Sequence, residues 1–216
     1  MSHPTDDRRR KLPGEFFDRD EHELARELLG RDLVRRTDEG LLAGRIVETE
    51  VYGGRDDPAS HADSGEPTER TRAMFDTPGT AYVYDIWGWF CLNITAPAGE
   101  KPAAVLIRAL KPLEGLAEMK RRRESVDAGA TPDGAAPTDL LDGPGKFCEA
   151  MAIDGRFDGR QLPDAELWIA PGEPVVERAE PSIIRTERIG LNPETVGEAA
   201  EWPWRYVVEG SAYASR

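Results

Sequence analysis

The sequence is poor in cysteine, histidine and lysine. Two cysteines, Cys91 and Cys148, occur in 216 residues, too few for an iron–sulfur cluster. With three histidines scattered along the chain, a structural zinc site is not expected either. No run of about 18 apolar residues is present, so no membrane-spanning helix is expected. The first ten residues, Met1 to Arg10, are charged and lack the apolar segment of a secretory leader. The expected compartment is therefore the cytoplasm, where two buried thiols are favoured over a disulfide.

What the chain has in excess is negative charge. Asp and Glu number 41 against 28 Lys and Arg, a formal net charge of −13. By itself that opposes binding to a polyanion. Only five of the basic residues are lysine: Lys11, Lys101, Lys111, Lys120 and Lys146. An acid-rich, lysine-poor surface suits a salt-laden cytoplasm, where carboxylates keep a protein hydrated.

The length suits one domain with a substantial core. Residues 1–14 are expected to be a flexible segment and 15–216 a single domain. A helix is expected at about 20–29, capped by Asp18 or Asp20 and ended by Gly30. A strand starts at Leu33-Val34, and a turn at 37–40 leads to a long strand at 41–52. Residues 53–79 read as an extended loop with little core. A hairpin covers 80–95 with its tip near Trp87-Gly88, and a strand at 103–110 precedes a helix at about 113–124. Residues 125–139 read as a surface loop. Gly143-Pro144 opens a short helix to about 152, and short strands follow near 166–170, 174–178, 183–189 and 205–209. Strands succeed one another without helical crossovers. The fold class is therefore α+β, with a curved, largely antiparallel sheet, peripheral helices and a protruding β-hairpin.

Three segments carry chemistry. In the strand Arg45 to Tyr52, period-two alternation puts Ile46, Glu48, Glu50 and Tyr52 on one face and Val47, Thr49 and Val51 on the other. Two carboxylates beside an aromatic on a core strand are either a half-solvated face or a site. In the hairpin, Tyr82, Tyr84 and Ile86 share a face, and Trp87 falls at the tip. A large exposed aromatic there is either a stray surface residue or a wedge shaped to part stacked rings. In Ala103 to Leu110, Arg108 interrupts an apolar run. It either reaches solvent or needs an acidic partner, for which Glu50 is the natural candidate.

Taken together and in order, these stretches resemble one family. They are Gly44-Arg45-Ile46-Val47-Glu48-Thr49-Glu50-Val51-Tyr52, His61, Arg70-Thr71-Arg72-Ala73-Met74-Phe75, and Pro78-Gly79-Thr80-Ala81-Tyr82-Val83-Tyr84. Phe90-Cys91-Leu92-Asn93-Ile94, Leu106-Ile107-Arg108-Ala109-Leu110, Gly143-Pro144-Gly145-Lys146-Phe147-Cys148 and Arg205-Tyr206-Val207-Val208-Glu209-Gly210-Ser211 continue the series. The family is that of the alkyladenine (3-methyladenine) DNA glycosylases, and the resemblance runs from about residue 15 to the C-terminus.

The resemblance implies an enzyme that flips a damaged purine out of duplex DNA and hydrolyses its bond to the sugar. Glu50 matches the general base, Arg108 the arginine that holds the attacking water, and Ile189, through its backbone carbonyl, the third water contact. Tyr52 matches the ring on one face of the flipped base, and His61 and Tyr84 the pair on the other. Asn93 matches the residue that crowds guanine's exocyclic amine. Trp87 stands where the family's wedge is usually tyrosine, with Trp89 as the weaker candidate. Arg70, Arg72 and Lys146 match contacts to the DNA backbone. Glu66 departs from the pattern, being acidic where the family carries arginine. The Gly143-Pro144-Gly145-Lys146 stretch is no nucleotide-binding loop, because Leu140 and Phe147 replace the glycine and hydroxyl that such a loop needs. No lysine occurs among the matched catalytic and ring residues, which implies hydrolysis without a Schiff base and an intact strand at the abasic product. The expected partner is damaged double-stranded DNA, with no membrane, no cofactor and a monomeric chain near the nucleoid. Two other classes remain open: a hydrolase of free nucleosides using Glu50 and Arg108, and a non-catalytic damage-binding protein.

Overall fold

The computed structural model describes residues 10–97, 102–126, 137–173 and 182–215. Its first regular helix, α1 (Glu21–Leu28), begins where Asp20 accepts amide hydrogens from His22 and Glu23 at 3.0 and 3.2 Å, which satisfies donors the first turn would leave bare. Leu24, Ala25 and Leu28 form its buried stripe. The strands are β1 (Asp32–Thr37), β2 (Gly40–Tyr52), β3 (Ala81–Ile86), β4 (Trp89–Ala96), β5 (Ala103–Glu114), β6 (Leu167–Ala170), β7 (Ile183–Thr186) and β8 (Arg205–Val208). The remaining helices are α2 (Leu116–Val126), α3 (Pro137–Leu140), α4 (Pro144–Ala150) and α5 (Pro193–Val196).

All eight strands join one antiparallel sheet, so the α+β class stands. The main order is β3-β4-β5-β2-β1-β6. The long strand β2 is its axis. Its first half pairs with β1 and its second half with β8, while β5 runs along the other edge. β7 pairs with β8. The end of β2 that carries Glu48, Glu50 and Tyr52 therefore lies between β5, which supplies Arg108, and β8, which supplies Arg205.

Several expected boundaries move. β5 runs on to Glu114, so α2 starts later than the anticipated 113, after Gly115. The last strand pair is shorter than 183–189, leaving Glu187 to Gly190 as a loop. The strand expected at 174–178 and most of the loop at 125–139 lie outside the described residues. Of the N-terminal segment expected to be loose, residues 1–9 also lie outside them. Leu12 is buried and its amide donates to Ile169 at 2.9 Å.

Two corrections bear on the site. Ile46 does not share the face of Glu48, Glu50 and Tyr52. It sits in the main core with Val47 and Val51, because β2 changes register against β5 between Ile46 and Glu48 and again at Glu48/Thr49. Such irregularities reset the two-residue alternation. Residues 53–79 are not without a core either. Ala62, Ala73 and Met74 pack with Tyr82 and Ala104 in a separate apolar cluster, and Asp57, Ser60 and Thr71 are buried. Cys91 and Cys148 are buried free thiols.

Candidate active site

Glu50 is wholly buried, and three groups converge on its carboxylate. The Ile189 amide donates to Oε1 at 2.8 Å. The Tyr52 hydroxyl donates to Oε2 at 2.9 Å, and Arg108 Nη1 reaches the same oxygen at 3.3 Å. The anticipated Glu50–Arg108 pairing is therefore present. Burial pushes the Glu50 carboxyl above the ordinary carboxylate range, opposed by Arg108, the Ile189 amide and the Tyr52 hydroxyl. Ile189 is at the site, and the bond seen there comes from its amide.

Glu48, also wholly buried, lies one alternation back. Its Oε1 accepts from Arg205 Nη1 at 2.7 Å and pairs with Arg108 Nε at 3.5 Å. Its Oε2 accepts the amide of Ser215 at 2.6 Å. Arg108 is thus held between two carboxylates, which fixes the orientation of its planar guanidinium. Arg205 also donates from Nε to Thr186 Oγ1 and the Glu187 carbonyl, at 2.8 and 2.9 Å. That ties down the loop carrying Ile189.

Tyr52 is also a wall of a small cavity lined by Ala59, His61, Met74, Tyr82, Tyr84, Asn93 and Ala104. The rings are interlocked. His61 meets Tyr84 edge-on at 4.6 Å, and its Nδ1 lies 2.8 Å from the Tyr82 hydroxyl. Tyr84 and Tyr82 are 5.1 Å apart. Desolvation, and then the nearby Arg70 guanidinium, lower the His61 pKa. Burial raises the phenols of Tyr52 and Tyr84 and takes Tyr82 to about 12. Asn93 is buried, with Nδ2 donating to the Tyr82 carbonyl at 3.2 Å. The enclosed volume is about 20 Å³, enough for about one water. A purine enters only if the rings part. Ile189 also lines an open cleft of about 510 Å³ with Arg185, Thr186, Glu187, Arg188, Glu201, Pro203 and Arg205.

Trp87 is 94% exposed at the tip of the β3–β4 hairpin. Ile86 pairs with Trp89, so the loop is the dipeptide Trp87-Gly88, with φ of 55° and 84°. Two positive values fit a type I′ turn, in which glycine is at ease and tryptophan is not. Trp89 turns inward. It lies so close to Gly145 of α4 that a Cβ there would meet it at 2.9 Å, and Arg123 sits 5.3 Å from its ring.

The three basic residues expected along the DNA differ in their settings. Arg72 is exposed. The Arg70 guanidinium lies 5.1 Å from the Tyr84 ring, beside the cavity. Lys146 Nζ is bonded to Asp142 at 2.7 Å. Among the described residues no cluster of three or more metal-ligating side chains occurs, and no helix is long and apolar enough to cross a membrane.

Sequence reading missed a further layer behind Tyr52. Arg188 and Asp57 form a two-bond ion pair with both side chains wholly buried. Nothing local in either sequence segment pairs them, since 131 positions separate the two. Tyr82 was within reach, because alternation already placed it beside Tyr84.

Comparison with known proteins identifies the family. Residues 15–212 match the family model described as methylpurine-DNA glycosylase. The DNA-3-methyladenine glycosylase of Homo sapiens is 44% identical over 211 residues, with 95% of this chain and 68% of that protein aligned. The Mus musculus protein of the same name is 43% identical, with 95% and 61% aligned. A Bacillus licheniformis relative is 41% identical over 206 residues, with 95% and 96% aligned. This chain thus spans about two thirds of the mammalian relatives and nearly all of the bacterial one. The chain belongs to the methylpurine-DNA glycosylase family and is a DNA N-glycosylase.

Proposed function

We propose that the chain extrudes alkylated or deaminated purines from double-stranded DNA, among them 3-methyladenine, 7-methylguanine, hypoxanthine and ethenoadenine, and hydrolyses them from the sugar with Glu50 as base. The observation that carries this reading is the meeting of Glu50 and Arg108 with Tyr52 at the edge of a ring-lined cavity. Trp87 fills the gap left in the stack. The flipped base parts Tyr52 from His61 and Tyr84 and lies between them, with Asn93 against its edge. As the glycosidic bond breaks, positive charge grows on the sugar. The Glu50 carboxylate stabilises that charge and takes a proton from the water attacking C1′. Arg108 orients the water, and the backbone carbonyl of Ile189 completes its contacts. Arg70, Arg72 and Lys146 face the sugar–phosphate backbone, Lys146 after exchanging Asp142 for phosphate. No lysine lines the cavity, which favours an abasic product with the strand intact. The chain acts as a monomer on chromosomal DNA in the cytoplasm, without a cofactor.

The test is single-turnover release of base from duplexes carrying one 7-methylguanine or one hypoxanthine, with wild type and Glu50→Gln. A positioned general base contributes about 10²–10⁴-fold, and the Gln variant should lose at least that. Release at the wild-type rate by folded Glu50→Gln removes Glu50 from the mechanism. Release from free nucleoside but not from duplex favours the nucleoside hydrolase instead.

A further inference from the structure

The Arg188 guanidinium carbon lies 4.9 Å from the centre of the Tyr52 ring and 5.1 Å from that of Trp204. It is not among the cavity's lining residues, so it covers Tyr52 from outside. Its two terminal nitrogens are both engaged internally. Asp57 accepts from both terminal nitrogens, and the carbonyls of Val51 and Ala199 accept at 2.9 and 3.2 Å. Asp57 in turn accepts the amides of Gly53 and Ala59 at 3.1 and 3.0 Å. Ala59 itself lines the cavity.

A fully desolvated ion pair is a poor way to gain stability, since apolar residues of the same volume often do as well or better. It does place a positive charge permanently against one face of an aromatic ring. That charge draws on the same π-electron density that a cationic base would use from the opposite face. A ring backed in this way attracts a second cation less, while its stacking on a neutral purine is preserved.

We infer that Arg188, held by Asp57, is a positioning residue that acts through Tyr52 to moderate the preference for cationic alkylpurines and to keep neutral damaged purines within the enzyme's range. The inference rests on Tyr52 being one wall of the base site, as proposed above.

The experiment compares single-turnover rates on duplexes with a 7-methylguanine, which is cationic, and a hypoxanthine, which is neutral. The variants are Arg188→Met/Asp57→Asn, which removes both charges together, and Arg188→Lys, which keeps the cation. In the doubly neutral variant the 7-methylguanine to hypoxanthine rate ratio should rise roughly 3- to 10-fold, the range of a partly desolvated cation–π contact. In Arg188→Lys it should stay near wild type. If Arg188→Met/Asp57→Asn does not fold by circular dichroism, Arg188→Gln/Asp57→Asn is read the same way. A ratio unchanged in a folded neutral variant overturns the inference, including the case where both rates fall together and the pair is only a scaffold. A shift in Arg188→Lys as large as in the neutral pair overturns it as well. Tyr52→Leu separates the two layers. Unchanged rates there remove the stacking wall itself. Lost rates there, with an unchanged ratio in Arg188→Met/Asp57→Asn, overturn only the role of Arg188.

Discussion

Replacing Trp87 with asparagine should make the protein more stable and a worse enzyme. Trp87 is 94% exposed, so its removal forfeits almost no packing. Its φ of 55° puts a bulky side chain in the left-handed region, at a cost of about 1–2 kcal/mol for an L-residue. Asparagine tolerates that region, and Asn-Gly is a favoured type I′ dipeptide. Recovering about 1 kcal/mol should raise Tm by roughly 2–4 °C for a chain of this size. The catalytic side runs the other way. Burying about 200 Å² of indole in the DNA stack yields about 5 kcal/mol at 25 cal/mol per Å². Unstacking consumes a few kcal/mol, so about 1–3 kcal/mol remains, or roughly 10- to 100-fold in affinity and base release. Calorimetry reads the first effect, and anisotropy with single-turnover excision reads the second. A Tm that falls, or excision that keeps its wild-type rate, refutes the reasoning that this residue is strained and exposed for the sake of the wedge.

Glu50→Gln should also change the pH dependence of stability. Burial raises the Glu50 carboxyl in the folded state, so its contribution is full at acidic pH and is lost as pH rises through the raised value. Glutamine does not ionise, and Arg108 keeps Glu48 as a partner. The Tm of the variant relative to wild type should therefore climb from about pH 4 toward neutrality, and a flat or falling difference contradicts the account. Arg70→Ala should raise the His61 titration midpoint, because Arg70 is the second cause, after burial, of its lowered pKa. NMR of the imidazole protons reads this, and an unmoved midpoint would show that Arg70 does not act on His61.

How much of this was legible beforehand follows from the range of each interaction. The helix capped by Asp20, the hairpin with Trp87 at its tip and the alternation that joins Glu48, Glu50 and Tyr52 all depend on neighbours within a few residues. The sequence displays such neighbours directly. Even there, alternation assigned Ile46 to the wrong face, because a register break is set by how β5 lies against β2 and has no mark in either strand alone. The loop at 53–79 looked coreless from its glycines and prolines, yet it folds Met74 and Ala62 against Tyr82, since burial is decided by what lies opposite.

The sequence by itself determined which residue types could do chemistry, and their order. The tertiary structure decided which of them meet. Glu50 and Arg108 were a plausible couple on paper, but only the adjacency of β2 and β5 brings them within 3.3 Å. Arg188 and Asp57 could not be matched at all, because partners separated so far along the chain are chosen by the geometry of the fold, where burial of one charge compels the presence of the other.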